Sequence, residues 1–147
     1  MSEDSSVPEE WCKKGDADLQ TADLILEHGG DLEIAASHIQ QGMEKYLKGF
    51  LISKGWGLEK THDLPKLLDE AVKHKAGLEK FRELCGEYTA LYFQSRYPLA
   101  GKPPAKEEVE SALKKARELI DALTEEPAGM LREKRAAYGP VKKAKKR

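Results

Sequence analysis

Five short segments rich in glycine and proline divide this sequence, and they constrain its fold more than any other feature. They are HGGD at 28–31, KGWG at 54–57, HKAG at 74–77, YPLAGKPPA at 97–105 and EPAG at 126–129. Glycine and proline interrupt helices and favour turns. Between these segments, apolar residues recur every three or four positions, which is typical of helices that bury one face. No interval alternates as a strand does, so the chain is predicted to be all-α.

The intervals predict four long helices and one short one. Their expected ranges are 9–27, 31–54, a short helix beginning near THDLPKLL (61–68), 78–96 and 105–125. Asp31 is the expected N-cap of the second helix, and Thr61 or Asp63 that of the third, where Pro65 fits the first turn. Short connections favour antiparallel neighbours, so the predicted architecture is an up-and-down bundle of four long helices plus one short helix.

Composition limits the class of protein. The 147 residues are 39% hydrophobic and 35% charged, as expected for one soluble domain, and no apolar run reaches the roughly 18 residues of a membrane span. The first residues, MSEDSSVPEE, do not resemble a signal peptide. Cys12 and Cys85 are too few for a disulfide framework, and we expect both to be reduced in a cytoplasmic protein. The histidines lack metal-ligand spacing, so neither a metal nor a cofactor is predicted.

The net charge of −1 hides an uneven distribution. From Arg132 to Arg147 there are eight basic side chains and one acid, so the preceding residues carry a net charge of about −8. We predict a disordered N-terminus (1–8), a helical bundle (9–127) and a basic flexible tail (128–147). The tail could contact nucleic-acid phosphates, act only as a solubilising end, or fold back onto the acidic bundle.

The second predicted helix carries a polar strip. In HIQQGMEKYLKGFL (38–51), Gln41, Glu44, Lys45 and Lys48 share one side. The opposite side is apolar and contains Ala35, Ile39, Met43, Tyr46 and Phe50. The strip is either a solvated face with a Glu44–Lys48 pair, or a groove that accepts phosphate or an acidic partner.

Three further observations bear on a possible site. Ile34 and Ile52 lie within the same strip, so an apolar surface should cover its ends, either the third helix or a second subunit. His62 belongs either to a capping segment or to a binding site. Arg96 either satisfies the last carbonyls of the fourth helix or forms, with Tyr97, a platform that holds a phosphate and stacks on a ring.

Three segments together resemble one known family. HIQQGMEKYLKGFL, THDL at 61–64 and SRYP at 95–98 are similar, in order and spacing, to segments of the HEPN family (higher eukaryote and prokaryote nucleotide-binding domains). The resemblance implies an all-α bundle and frequent dimerisation. It also implies several possible activities: many members are toxins that cut RNA without a metal, while others accompany a small nucleotidyltransferase or bind nucleotides or partners without cutting.

The chain departs from the RNA-cutting members of that family. Those members carry an arginine followed, four to six residues later, by a histidine, which together stabilise phosphate charge and transfer a proton. Here the histidines are at 28, 38, 62 and 74, and the first arginine is Arg82. Every histidine precedes every arginine, so the motif does not occur in this sequence.

The sequence is therefore interpreted as a non-catalytic, homodimeric HEPN-type binding module. Its ligand would be a nucleotide, RNA or a partner nucleotidyltransferase, in a toxin–antitoxin-like context, bound between the second, third and fourth helices. The predicted ligand-binding residues are Gln41, Glu44, Lys45, Lys48, His62, Asp63, Arg96 and Tyr97. The two lysines would contact anions, Gln41 would form hydrogen bonds, Glu44 would orient Lys48, and His62 and Arg96 would close the site. The alternatives are an RNA-cleaving toxin with an atypical site and a domain that only dimerises.

Overall fold

The computed structural model describes residues 7–57, 60–96 and 104–124, without the side chains of 90–96. In this part of the chain all regular structure is helical, which confirms the all-α prediction. The α-helices are α1 (Pro8–His28), α2 (Leu32–Ser53), α3 (Leu64–Val72), α4 (Arg82–Arg96) and α5 (Lys106–Thr124). The up-and-down order of the whole bundle stays a prediction. The predicted basic tail (128–147) and residues 1–6 lie outside the described residues.

The helix ends are set by local chemistry. Asp31 caps α2 as predicted, because its carboxylate accepts hydrogen bonds from the backbone N–H groups of Glu33 (2.8 Å) and Ile34 (3.1 Å). The preceding helix ends at Gly29, whose φ of 74° is the left-handed conformation that glycine adopts without strain. The turn between α1 and α2 is therefore built from two glycines and one acidic cap.

The fourth predicted helix differs from the structure at its start. Ala76–Phe81 form a 3₁₀ helix, and the α-helical conformation begins only at Arg82. Leu78 and Phe81 are both buried, and residues three apart lie on the same side of a 3₁₀ helix. The tighter winding therefore directs both side chains into the core, which apolar spacing alone did not distinguish from an α-helix.

Two glycines allow α1 and α2 to pack closely. A Cβ atom on Gly42 would lie 2.8 Å from Leu19 Cδ2, and one on Gly15 would lie 2.8 Å from Tyr46 Cδ2. Farther along, Gly49 faces the backbone oxygen of Pro8, so the two helices run antiparallel. This close approach brings side chains of α1 within reach of the polar strip on α2.

Helix α2 is the centre of the fold. It contacts α1, α3, α4 and α5. Its predicted apolar face is confirmed, because five side chains on it are fully buried: Ala35, Ile39, Met43, Tyr46 and Phe50. With one face in the core, the opposite polar strip lies beside α1 and the segment that leads into α3.

Candidate functional site

Half of the polar strip forms a compact group of four side chains, here called the Glu44 cluster: Gln40, Glu44, Lys48 and His62. The Lys48 ammonium donates to Glu44 Oε2 at 2.8 Å, and Gln40 Nε2 donates to Oε1 at 3.1 Å. His62 Nδ1 lies 3.0 Å from both carboxylate oxygens. Glu44 thus joins α2 to the segment that leads into α3.

The charged centre of the Glu44 cluster is buried. The side chains of Glu44 and Lys48 are each only 6% exposed, and the Lys48 ammonium lies 5.4 Å from the ring centre of Trp11 on α1. The solvated-face interpretation is therefore wrong for these two residues. Burying an ion pair has a large desolvation penalty, so such a pair is weak support for stability and invites another explanation.

The His62 side chain is the exposed part of the cluster, with 67% of its surface accessible. It precedes the cap of α3, where Asp63 accepts from the backbone N–H of Lys66 at 3.1 Å and Thr61 Oγ1 accepts from that of Asp63. Asp63 and Thr61 thus cap α3, which was one of the two roles predicted for the segment that contains His62. His62 is left to contact Glu44.

Sequence reasoning missed Gln40. This side chain is fully buried, and its Oε1 atom has no hydrogen-bond partner among the described residues. A signal was available, because Gln40 lies one helical turn before Glu44 and so on the same side of α2. Within the described ranges its carbonyl is thus a buried acceptor that receives no hydrogen bond, which is uncommon in folded proteins.

Lys45, also on the strip, belongs to a separate group, here called the Asp18 cluster: Asp18, His38 and Lys45. The Lys45 ammonium donates to Asp18 Oδ2 at 2.6 Å, and His38 Nδ1 lies 2.9 Å from Oδ1. Asp18 belongs to α1, so this cluster connects α1 to α2. Lys45 therefore does not join Lys48 in one group, and sequence reasoning missed both Asp18 and His38.

The remaining predicted site residues have different positions. Gln41 Nε2 donates to Ser37 Oγ at 3.0 Å along α2. The side chain of Arg96 and all of Tyr97 lie outside the described residues, so their predicted part in the site stays a prediction. Ile34 is 51% exposed, so the predicted apolar cover is not supplied there by α3 within the described part of the chain.

Two other buried groups on α4 have altered acidity. Burial raises the pKa of the Cys85 thiol to about 12, although the nearby Arg82 acts in the opposite direction. Burial also raises the pKa of Tyr88, with a further contribution from the charges of Glu87 and Glu108. Tyr88 Oη has no hydrogen-bond partner among the described residues. Both side chains are neutral core groups at neutral pH.

An open groove of about 780 Å³ lies between α1 and α5. It is lined by acidic and basic side chains, of which Arg117 and Asp23 form an ion pair at 2.7 Å. None of the predicted site residues lines it. Among the described residues, no helix combines the length and apolar character of a membrane span, and no three potential metal ligands lie together.

Comparison with known proteins gives one match. The family model of the HEPN domain matches residues 8–126, which include α1 to α5 and both clusters. Neither a curated protein nor a solved structure gave a significant match. The matched range covers most of the 147 residues, and the chain belongs to the HEPN domain family.

Proposed function

We propose that this chain is a non-catalytic HEPN-type binding module that binds a nucleotide or RNA beside His62. The absence of an arginine followed by a histidine anywhere in the 147 residues supports a binding role over the RNA cleavage of other family members. A partner nucleotidyltransferase is the alternative ligand, and it would occupy the same surface.

The observation that carries the proposal is the contrast in exposure within the Glu44 cluster. An ion pair whose members are 6% exposed is attached to an imidazole that is 67% exposed. An exposed imidazole adds little to the core, whereas a fixed one can recognise a ligand. Residues that hold a side chain rigidly at the surface are typical of a site, because preorganisation lowers the entropy lost on binding.

Lys45 and Lys48 have a smaller role in this proposal than the anion contacts that the sequence predicted for them. Each is neutralised by a carboxylate of the same chain, Lys48 by Glu44 and Lys45 by Asp18. Lys45 and Gln41 are partly exposed and would line the rim of the site. The contact that decides affinity would come from His62, and Arg96 and Tyr97 stay predicted ligand-binding residues.

Titration of the full chain with nucleoside triphosphates and short single-stranded RNA tests this proposal. His62→Ala should weaken binding about tenfold, as expected for the loss of one well-placed hydrogen bond. His28→Ala is the matched control, because His28 is exposed in the last turn of α1, and it should bind as wild type does. Equal affinities of both variants, or no binding by wild type, would reject the proposal.

Homodimerisation is proposed on separate grounds. Leu24 and Ile34 flank the turn between α1 and α2, and each is about half exposed. Exposed aliphatic side chains of this size can form part of an interface between copies of the chain. Light scattering should give the mass of a dimer for wild type and that of a monomer for Ile34→Glu. A monomeric wild type would reject the dimer.

A second candidate function, RNA cleavage at an atypical site, is favoured by one specific contact. A carboxylate bound to Nδ1 of an exposed imidazole is the arrangement that orients a histidine for proton transfer. RNA incubated with the purified protein in the presence of a chelator should then be cut, and His62→Ala should leave it intact. RNA that survives incubation with wild type would eliminate this candidate.

A further inference from the structure

Helix α5 carries a row of exposed charges of alternating sign beside the groove that it forms with α1. The members are spaced by four residues and therefore lie along one side of the helix: Lys106, Glu110, Lys114 and Glu118. All four line the groove. This set, here called the α5 charge row, extends over about 18 Å of helix.

The α5 charge row does not pair within its own helix. Opposite charges four residues apart commonly form ion pairs, as Lys48 and Glu44 do on α2. In the part of the chain that the structure describes, no member of the row forms an ion pair or a side-chain hydrogen bond. Arg117 and Asp23, which also line the groove, do pair at 2.7 Å. The row is therefore a set of exposed charges whose partners lie outside the described bundle.

The order of the charges changes sign when the row is read backwards. Lysine and glutamate alternate, so the row begins with a positive charge and ends with a negative one. If a second copy of α5 lies antiparallel, each position faces the one at the same distance on the other side of residue 112. Lys106 then faces Glu118, and Glu110 faces Lys114. Each of these contacts occurs twice in a symmetric pair, and all of them join opposite charges.

The total charge of the groove fits a partner of uniform charge less well. Its lining contains five acidic and three basic side chains. A uniformly basic partner, such as the tail at 132–147, would meet Lys106, Lys114 and Arg117 as well as the acids. Because like charges placed opposite each other are unfavourable, a partner whose charges alternate in the same way matches the row best.

The groove also offers apolar surface next to the charges. Leu26 and Leu113 line it, with 8% and 5% of their surfaces exposed. Leu24, which is half exposed, directly follows Asp23 of the α1 wall. Interfaces between proteins commonly combine a small apolar centre with charged groups around it. A helix that lay across the groove would find both.

We infer that the α5 charge row is the seam of a homodimer, in which α5 of a second copy lies antiparallel along the groove. Lys106 contacts Glu118 of the partner subunit, and Glu110 contacts Lys114 of the partner subunit. The arrangement is self-complementary, as the interface of a closed two-fold dimer must be. This inference rests on the homodimer proposed above and names the surface through which it forms.

Reversal of single charges in the full chain tests the seam. Glu110→Lys places like charges together at both contacts between positions 110 and 114, and Lys114→Glu does so with the opposite sign. Sedimentation at low ionic strength should show the dissociation constant of the dimer raised about tenfold in each variant. Lys115→Glu is the matched control, because Lys115 is exposed on the same helix but does not line the groove. It should dimerise as wild type does.

The two weakened variants should rescue each other. In a mixture of Glu110→Lys and Lys114→Glu chains, both contacts between positions 110 and 114 of the mixed dimer again join opposite charges. The double variant Glu110→Lys/Lys114→Glu should also dimerise as wild type does, because the two partners of each contact are exchanged. A variant that merely folded poorly would not be rescued in this way, so the absence of rescue in both experiments would overturn the inference.

The remaining outcomes separate the seam from the proposed function. A dimeric wild type with an unchanged dissociation constant in both single variants would overturn the seam and leave the homodimer standing. A monomeric wild type would reject both. A monomer in which Glu110→Lys accelerates tryptic cleavage of residues 132–147 would assign the groove to the basic tail instead. Nucleotide binding beside His62 is measured separately, and its failure would leave the seam intact.

Discussion

The Glu44 and Asp18 clusters both contain a carboxylate, a lysine and a histidine, and they differ in burial and in what they connect. In each, a carboxylate accepts from a lysine ammonium and contacts Nδ1 of a histidine. In the Glu44 cluster both ions are 6% exposed and the histidine is 67% exposed. In the Asp18 cluster the lysine and histidine are 23% and 30% exposed.

This difference separates a site from a link between helices. Asp18 is buried, but His38 and Lys45 are partly exposed, and the three side chains hold α1 against α2. This is a structural role that the exposure of the two partners of Asp18 makes inexpensive. Glu44 and Lys48 lie one turn apart on α2. Asp18 and Lys45 already join α1 to α2. What the Glu44 cluster connects in addition is the segment that carries His62. The Glu44 cluster is therefore best explained by the imidazole that it holds.

The largest expected effect tests the difference in burial. Glu44→Ala leaves the Lys48 ammonium buried without its carboxylate, so the free energy of unfolding should fall by about 3–5 kcal/mol. Asp18→Ala is the matched variant. Lys45 and His38 can regain water, so the loss should be nearer to about 1 kcal/mol. Urea denaturation followed by circular dichroism measures both, and equal losses would contradict the proposed distinction.

The second prediction tests what each cluster connects. Gly42→Ala places a methyl group 2.8 Å from Leu19 Cδ2 and should separate α1 from α2, at a cost of about 1–3 kcal/mol. The contact between Asp18 and Lys45 crosses this boundary, whereas that between Glu44 and Lys48 does not. Imidazole resonances should therefore move for His38 and stay in place for His62.

Gly86→Ala is the control for that substitution. Gly86 lies inside α4, and a Cβ atom there would meet nothing within 4 Å. The change should stabilise the protein by about 0.5–1 kcal/mol, because alanine is the better helix former. If Gly42→Ala were as harmless as Gly86→Ala, the close approach of α1 and α2 would not be what aligns the Asp18 cluster.

The sequence predicted the helices well because their ends depend on neighbouring residues. Breaker segments and the Asp31 cap act within one turn of the chain, and the observed bounds of α1, α2 and α5 lie within one residue of those expected. The 3₁₀ helix before α4 was missed, since spacing by three residues is shared by both kinds of helix.

The candidate site was predictable only in part, for a related reason. The pair of Glu44 and Lys48 follows from their separation by four residues on one helix. The partner of Lys45 is 27 residues away on another helix, and periodicity identifies the face of a helix but not the side chain opposite. His62 entered the prediction through the family resemblance, and its contact with Glu44 required coordinates.

The smallest expected effect concerns a buried polar group that belongs to neither cluster. Tyr88 Oη is buried and unpartnered among the described residues, so Tyr88→Phe should leave stability at pH 7 unchanged or raise it by up to about 1 kcal/mol. Tyr46→Phe is the matched control. It removes a hydrogen bond to the Asp16 carboxylate and should cost about 1.5 kcal/mol or more.

The same tyrosine predicts a loss of stability in alkali that the substitution should reduce. Burial raises the pKa of Tyr88, so its neutral form stabilises the fold fully below the unfolded pKa of about 10, and this contribution is lost as the pH rises towards the higher folded value. Cys85, whose pKa burial raises to about 12, adds a loss of the same sign that begins near its unfolded value of about 8.5. Urea midpoints measured between about pH 7 and pH 11 should fall less steeply for Tyr88→Phe than for wild type, with the residual slope due to Cys85. Parallel curves would mean that Tyr88 reaches water in the folded protein. Tyr88 could then no longer serve as the buried, unpartnered group with which the two paired clusters are compared.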